Sequence, residues 1–126
     1  MRAVDKPLYI EQGATFKLGF AWVMESTVTP DTPGDPYDLT GCIARMQIRR
    51  SLSTTVIVEA TTENGKITID GPNGHISVVL EDEDTDLLTM RAAVYDLEVE
   101  YPSGGDVVRL LQGKITVSPN VTRSDP

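Results

Sequence analysis

Two residues, the single histidine and the single cysteine, are the candidates for catalysis in this sequence. His75 is the only imidazole available to activate a serine or cysteine nucleophile. It follows Gly74 at the start of a predicted strand, where a solvated turn residue is the commoner role. Cys42 alternates onto the same face as Met46 and Ile48, which is typical of a buried, unreactive thiol. The sequence therefore predicts no catalytic triad, and the chain is not expected to be an enzyme.

The acidic run from Glu81 to Asp86 is the candidate for metal binding. It places aspartates at positions 82, 84 and 86, as a helix-loop-helix calcium site does. However, Leu87 stands where that loop needs glycine, and Ala93 where it needs a bidentate glutamate. Acidic residues are also favoured in the first turn of a helix. We interpret the run as the start of a short helix, with weak divalent-ion binding as the alternative, and expect no required metal and no cofactor.

Length and charge restrict the kind of protein. The chain of 126 residues is the size of one domain. With 11 basic and 19 acidic residues its net charge is -8, so a phosphate backbone is repelled on average and nucleic acid is not an expected partner. The lone cysteine, the absence of an apolar leader and the absence of a long apolar run predict synthesis in a reducing cytoplasm without membrane insertion.

Apolar and polar residues alternate through most of the chain, which is the pattern of half-buried β-strands. The stretches 14–24, 42–49 and 92–101 show it most clearly. "KITID" and "HISVVL" flank "GPNG" and predict a hairpin, and "ENG" predicts a further turn. The predicted core positions on these strands are Phe16, Leu18, Phe20, Trp22, Met46, Ile48, Leu97 and Val99.

Seven or eight mainly antiparallel strands with one short helical turn predict an all-β fold. We favour an immunoglobulin-like β-sandwich over a small barrel. The last strand changes phase, since Val108 and Leu110 are out of step with Ile115 and Val117, and a bulge near Gly113 would bring both pairs into the core.

The domain is expected to span residues 1–126, with three irregular segments. These are an amino-terminal arm over 1–7, a long loop over 25–37 and a carboxy-terminal tail over 119–126. Prolines at positions 30, 33 and 36 exclude regular strand pairing in the loop.

Several stretches carry a family resemblance when they are taken in order: "YIEQGATF", "DLTGCIARMQIR", "GHISVVLEDEDTDLL", "YDLEVEY" and "GKITVSPNVT". Together they resemble the N-terminal domain of bacteriophage baseplate upper proteins and the small stand-alone immunoglobulin-like proteins of phage structural modules. The resemblance extends from about Leu8 to Thr122. It implies a β-sandwich in the virion that attaches one component to another and has no catalytic residues. The implied partners are tail, baseplate or capsid subunits, with the protein present in multiple symmetric copies and synthesised in the host cytoplasm.

Candidate contacts with such partners lie in the irregular segments and on one strand. The loop prolines lower the entropy lost when the loop orders against a partner. The outward row of Arg45, Gln47 and Arg49 is interpreted as a docking stripe for acidic groups, or alternatively as a solvated face that discourages edge pairing. The candidate residues are Tyr9, Thr29, Pro30, Asp31, Pro33, Pro36, Tyr37, Arg45, Arg49, Asn120 and Arg123.

Two other functions stay open. A capsid decoration protein calls for the same small acidic sandwich in hundreds of copies, whereas a tail adaptor needs a few rings. A carbohydrate-binding module would use exposed aromatic side chains, for which Tyr9, Tyr37 and Tyr101 are the candidates.

Overall fold

The computed structural model describes residues 3–22, 37–102 and 104–122. Six of the candidate contact residues, Thr29, Pro30, Asp31, Pro33, Pro36 and Arg123, lie outside these ranges. The described residues form nine strands and one helix, α1, at Asp82–Thr85. The strands are β1 (Val4–Asp5), β2 (Leu8–Glu11), β3 (Phe16–Ala21), β4 (Ile43–Arg49), β5 (Val56–Thr61), β6 (Ile67–Asp70), β7 (His75–Leu80), β8 (Ala92–Glu100) and β9 (Val107–Ser118).

The strands form one large sheet and one small sheet. The large sheet has the order β1-β9-β8-β4-β5, and β2 also pairs with β9. β1 and β2 run parallel to β9, one after the other along it, while the remaining pairs are antiparallel. The small sheet is antiparallel, in the order β3-β7-β6. The predicted all-β class, mainly antiparallel with one short helical turn, is confirmed. The described residues have nine strands instead of the predicted seven or eight, because β1, which lies in the predicted amino-terminal arm, and β2 also pair with β9.

Inward side chains of both sheets form a single hydrophobic cluster. Met46, Ile48, Leu97 and Val99 are each at most 1% exposed, as their alternation predicts. The predicted face of β3 is also correct, but its depth is not. Phe16, Leu18, Phe20 and Trp22 are only partly buried against the cluster, because β3 pairs on one side only, with β7, among the described residues.

The bulge in β9 is at Leu110, so the prediction of a bulge near Gly113 is wrong. Leu97 is in register with Leu111 and Glu98 with Arg109, which leaves Leu110 as the extra residue. Both leucines are consequently buried. The glycine has a different role, since a β-carbon at Gly113 would lie 2.7 Å from the backbone oxygen of Lys6.

The helix α1 is a single turn fixed by a buried threonine. The Thr85 hydroxyl donates to the carbonyl of Ala14 at 2.9 Å and accepts from the N–H of Gly13 at 3.0 Å. It thereby joins α1 to the turn between β2 and β3. At four residues α1 is far too short to cross a bilayer, and no other described segment is a candidate for a membrane-spanning helix.

Candidate protein-protein interface

The predicted basic row lies on the outer face of the large sheet, the face turned away from the core. β4 places Arg45, Gln47 and Arg49 there. The register sets acidic side chains of β8 directly beside them, with Arg45 opposite Glu98 and Gln47 opposite Asp96. We call Arg45, Gln47 and Arg49 the basic column and Asp96, Glu98 and Glu100 the acidic column.

The alternation of charge continues across the rest of this face. β9 lies on the other side of β8 and exposes Arg109 and Lys114. The outermost strands carry acidic groups, Glu59 on β5 and Asp5 on β1, and both are exposed. From β5 to β1 the sign of the charge therefore alternates strand by strand.

Within one molecule these charges are already partly paired. Arg45 Nη2 lies 3.2 Å from Glu98 Oε1, and Arg109 Nε lies 3.4 Å from Asp96 Oδ2. The two arginine side chains are still 58% and 54% exposed. Arg49 is more constrained, because its guanidinium donates to the carbonyl of Thr54 and to Gln47 Oε1. Within the basic column, Arg45 is therefore the residue with the most N–H donors left for a binding partner.

The outer face is concave near the hairpin that joins β4 and β5. A depression of about 670 Å³ is bordered by side chains of both charge signs, including Arg49, Asp96 and Arg109. Leu52 also borders it and is 91% exposed, although it is apolar. Leu52 therefore adds one apolar side chain to the border of a charged depression.

The β5 edge of the large sheet is closed by one side chain. Asn64 Oδ1 accepts the N–H of Thr61 at 2.9 Å, and Asn64 Nδ2 donates to the carbonyl of Glu59 at 3.0 Å. These are backbone groups that an added strand would use. The amide of Asn64 thus occupies two of the outward backbone groups at the turn end of β5.

The opposite edge, at β2, offers little to an added strand. The N–H groups of Lys6 and Gln12 bond to β9, so by alternation Pro7, Tyr9 and Glu11 turn their backbone groups outward. Pro7 has no N–H to give, and the carbonyl of Glu11 already accepts the N–H of Ala14 at 3.2 Å. Both edges are thus partly restricted, and the outer face is the broader surface that this sheet presents to another molecule.

The predicted aromatic contacts have separate roles. Tyr9 is 59% exposed and projects from β2. Tyr37 packs its ring 5.9 Å from that of Trp22 and donates its backbone N–H to the Trp22 carbonyl at 2.9 Å, so it fixes the base of the loop. Tyr101 is partly buried against the core. Among the described residues, then, only one of the three tyrosines proposed for a sugar platform projects freely into solvent.

Asn120 is held in place by local contacts. Its Nδ2 donates to the carbonyl of Thr122 at 2.8 Å. The side chain also lies against Gly13, where a β-carbon would be 2.4 Å from Nδ2. Asn120 therefore supports the start of the tail, beside the turn that α1 also contacts.

The two residues with catalytic potential lie in unrelated surroundings. Cys42 is buried, and burial, reinforced by the charge of Asp38, raises the pKa of its thiol. His75 is exposed, with Nδ1 3.4 Å from Ser77 Oγ.

The acidic run carries one ion pair. Lys66 Nζ lies 2.7 Å from Asp84 Oδ2, and this hydrogen bond raises the pKa of Lys66. The same oxygen accepts the backbone N–H of Glu81 at 3.0 Å. In the ranges that the structure describes, no three His, Cys, Asp or Glu side chains are grouped as metal ligands.

Two parts of this interface were missed by sequence reasoning. The acidic column has a visible signal, since Asp96, Glu98 and Glu100 alternate in "YDLEVEY", but its position beside the basic column depends on the pairing of β4 with β8. Asn64 was predicted only as a turn residue.

Comparison with known proteins adds no assignment. No protein-family model matches the sequence. A search of curated proteins likewise finds no match.

Proposed function

We propose that this chain is a non-enzymatic structural protein of a bacteriophage particle. It acts as a tail or baseplate adaptor that attaches one virion component to another through an immunoglobulin-like β-sandwich. Its partners are other virion subunits, and the particle holds it in multiple symmetric copies.

The observation that carries the proposal is the order of the strands. In the variable type of immunoglobulin domain, the last strand, G, pairs with F in one sheet that also contains C, C′ and C″, and strands A, B, E and D form the other sheet. The order β9-β8-β4-β5 opposite β3-β7-β6 supports that topology. The parallel pairing of the amino-terminal strand β2 with β9 is compatible with it.

The stretches that resemble phage proteins coincide with the framework of this fold. "DLTGCIARMQIR" covers the turn at Asp38 and strand β4, and "YDLEVEY" covers most of β8. In the turn, both the hydroxyl and the backbone N–H of Thr40 donate to Asp38 Oδ1, which lowers the pKa of that carboxyl group. The resemblance is therefore carried by residues with definable structural roles.

The described contact residues also suit an attachment role. Tyr9 is exposed on an edge strand, and Arg45 is exposed on the outer face. Aromatic and arginine side chains are enriched where proteins bind one another.

Location in the particle tests the proposal. Phage particles are produced from a host strain that carries the gene and are purified on a density gradient. Gold-labelled antibodies against the purified chain are then bound to the particles and located by electron microscopy. We expect the labels at the tail end of the particle. Quantitative mass spectrometry should give a copy number per particle that corresponds to a few rings of subunits. Labels over the whole capsid with hundreds of copies would instead make the protein a decoration protein, and particles without label would refute a virion role.

A loop variant tests which segments make the contacts. Residues 27 to 35 are replaced by a short glycine-serine turn, and the ends are trimmed to residues 3–122 so that β1 and the contact of Lys6 with Tyr95 are kept. We expect the variant to fold, because the backbone bond between Tyr37 and Trp22 remains, but to be lost from particles. The control replaces Thr68, which is exposed on the small sheet, with alanine. Normal incorporation of the loop variant would contradict the assigned contacts.

A further inference from the structure

The outer face of the large sheet has a charge pattern that is complementary to itself. Going from β5 to β1, acidic, basic, acidic, basic and acidic strands follow one another. A pattern of this kind can be laid over a second copy of itself so that unlike charges meet. The relation that achieves this is a two-fold axis parallel to the strands.

We propose that two copies of this chain associate through their outer faces, about a two-fold axis that runs between β4 and β8. Rotation about that axis places β4 of each copy over β8 of the other. The basic column of each copy then faces the acidic column of its partner.

The register of the sheet fixes the contacts in such a dimer. Arg45 and Glu98 are in the same row of the sheet, so Arg45 of one copy meets Glu98 of the second copy. Gln47 meets Asp96 in the next row. Farther out, β5 lies over β9, which brings Glu59 between Arg109 and Lys114 of the second copy.

The existing ion pair within each copy does not block this contact. A guanidinium has several donors and a carboxylate about four acceptor positions, so both groups can bind twice. Arg45 and Glu98 remain 58% and 29% exposed. In the dimer the two internal pairs would join into one network of four charges, which is more stabilising than isolated surface pairs.

The overall charge of the chain favours this face over the others. The outer face carries four basic and six acidic side chains, a net charge of -2, whereas the whole chain carries -8. Most of the excess negative charge therefore lies elsewhere, and it opposes close approach of two copies there. The residues counted are Arg45, Arg49, Arg109 and Lys114 against Asp5, Glu11, Glu59, Asp96, Glu98 and Glu100.

The available area predicts a weak dimer. The four strand positions that overlap, from β5 to β9, are about 4.8 Å apart and about seven residues long, so they cover roughly 450 Å² per copy. The total of roughly 900 Å² is in the range of weak, transient interfaces. We therefore expect association that depends on protein concentration and weakens with added salt.

Two single charge reversals test the proposal. In Arg45→Glu both residues of the central row, 45 and 98, are acidic, and in Glu98→Arg both are basic. Each variant alone should self-associate at least about tenfold more weakly than the parent, because like charges then face each other in this row. Mixed in equal amounts, the two variants present opposite charges in this row and should form a heterodimer within about threefold of the parental affinity.

Sedimentation equilibrium on the purified full chain, in 20 mM and 500 mM NaCl, measures each association, with fluorescence transfer between labelled variants for the mixture. Circular dichroism checks folding. Lys17→Glu on β3 and Glu83→Arg in α1 make the same charge changes on exposed residues elsewhere and should leave the dimer within about threefold of the parent.

Three outcomes would overturn the proposal: a parent that stays monomeric at low salt, control variants as weak as the test variants, or a mixture that fails to associate. The proposal does not depend on the phage assignment. The isolated chain is measured, so a monomeric result would leave that assignment untouched.

Discussion

The hydroxyl of Tyr95 donates a hydrogen bond of 2.6 Å to the backbone carbonyl of Lys6. The two residues are 89 positions apart in the sequence. Tyr95 is on β8, and Lys6 lies between β1 and β2 at the point where Gly113 allows close approach. The side chain of Tyr95 therefore holds the segment between β1 and β2 against the large sheet.

Replacing Tyr95 with phenylalanine should lower the free energy of unfolding by about 1–2 kcal/mol, since the Lys6 carbonyl loses a buried donor. The loss of stability should be concentrated in β2, so the backbone amides of Leu8 and Ile10 should exchange with solvent faster than in the parent. Urea unfolding and hydrogen exchange measure the two effects. Tyr9→Phe, at an exposed position, is the control and should change neither.

The same residue should make stability depend on alkaline pH. Burial, with a further effect from Asp5, raises the pKa of Tyr95 to about 12, whereas an unfolded tyrosine has a pKa of about 10. The folded state holds the proton more tightly, so this contribution is complete below pH 10 and is lost between about pH 10 and pH 12. The stability difference between the parent and Tyr95→Phe should shrink over that range. A difference that stays constant from pH 8 to pH 12 would show that Tyr95 titrates normally.

Leu97 and Leu18 should respond unequally to truncation. Leu97 is fully buried on β8, so Leu97→Ala should destabilise the fold by about 3–4 kcal/mol. Leu18 is only partly buried on the edge strand β3, and Leu18→Ala should cost about half as much. The two losses are compared through the denaturant midpoints of the variants and the slopes of their unfolding free energies against denaturant concentration. Equal losses would mean that the outer part of β3 is covered as fully as β8.

Asn64→Ala should cost about 1–2 kcal/mol, because the backbone groups of Glu59 and Thr61 lose their partners. Asn64→Asp retains the acceptor but not the donor, and its loss should be smaller. Thermal unfolding ranks the three proteins. If the aspartate variant is as unstable as the alanine variant, the bond to Glu59 rather than the bond to Thr61 is the important one.

Local alternation predicted much of this fold. The residues of β4 and β8 alternate without interruption, so their inward positions follow directly from the sequence. On β3 the alternation gave the correct face but not the depth, because position at the edge of a sheet leaves no mark in the pattern. The phase break in β9 was visible, but the bulge was assigned to the region of Gly113 because glycine is common at bulges, whereas this glycine is needed for the close approach of the distant Lys6.

The candidate interface was predicted only in part, for the same physical reason. Arg45 and Arg49 were correctly placed on an outward strand face. Their surroundings could not be read from nearby residues, since Arg45 and Glu98 are 53 positions apart. The sequence therefore suggested an isolated basic stripe, whereas the folded chain has basic and acidic side chains next to each other on this face.

The amide of Asn64 also bears on how large an assembly built from this chain can grow. A sheet that adds strands at an open edge passes the same open edge to each new copy, and the product is a fibre of unlimited length. Contact between two faces about a two-fold axis, by contrast, is complete once two copies have met. Because Asn64 occupies two backbone groups of β5, a single turn residue makes strand addition less favourable at that edge.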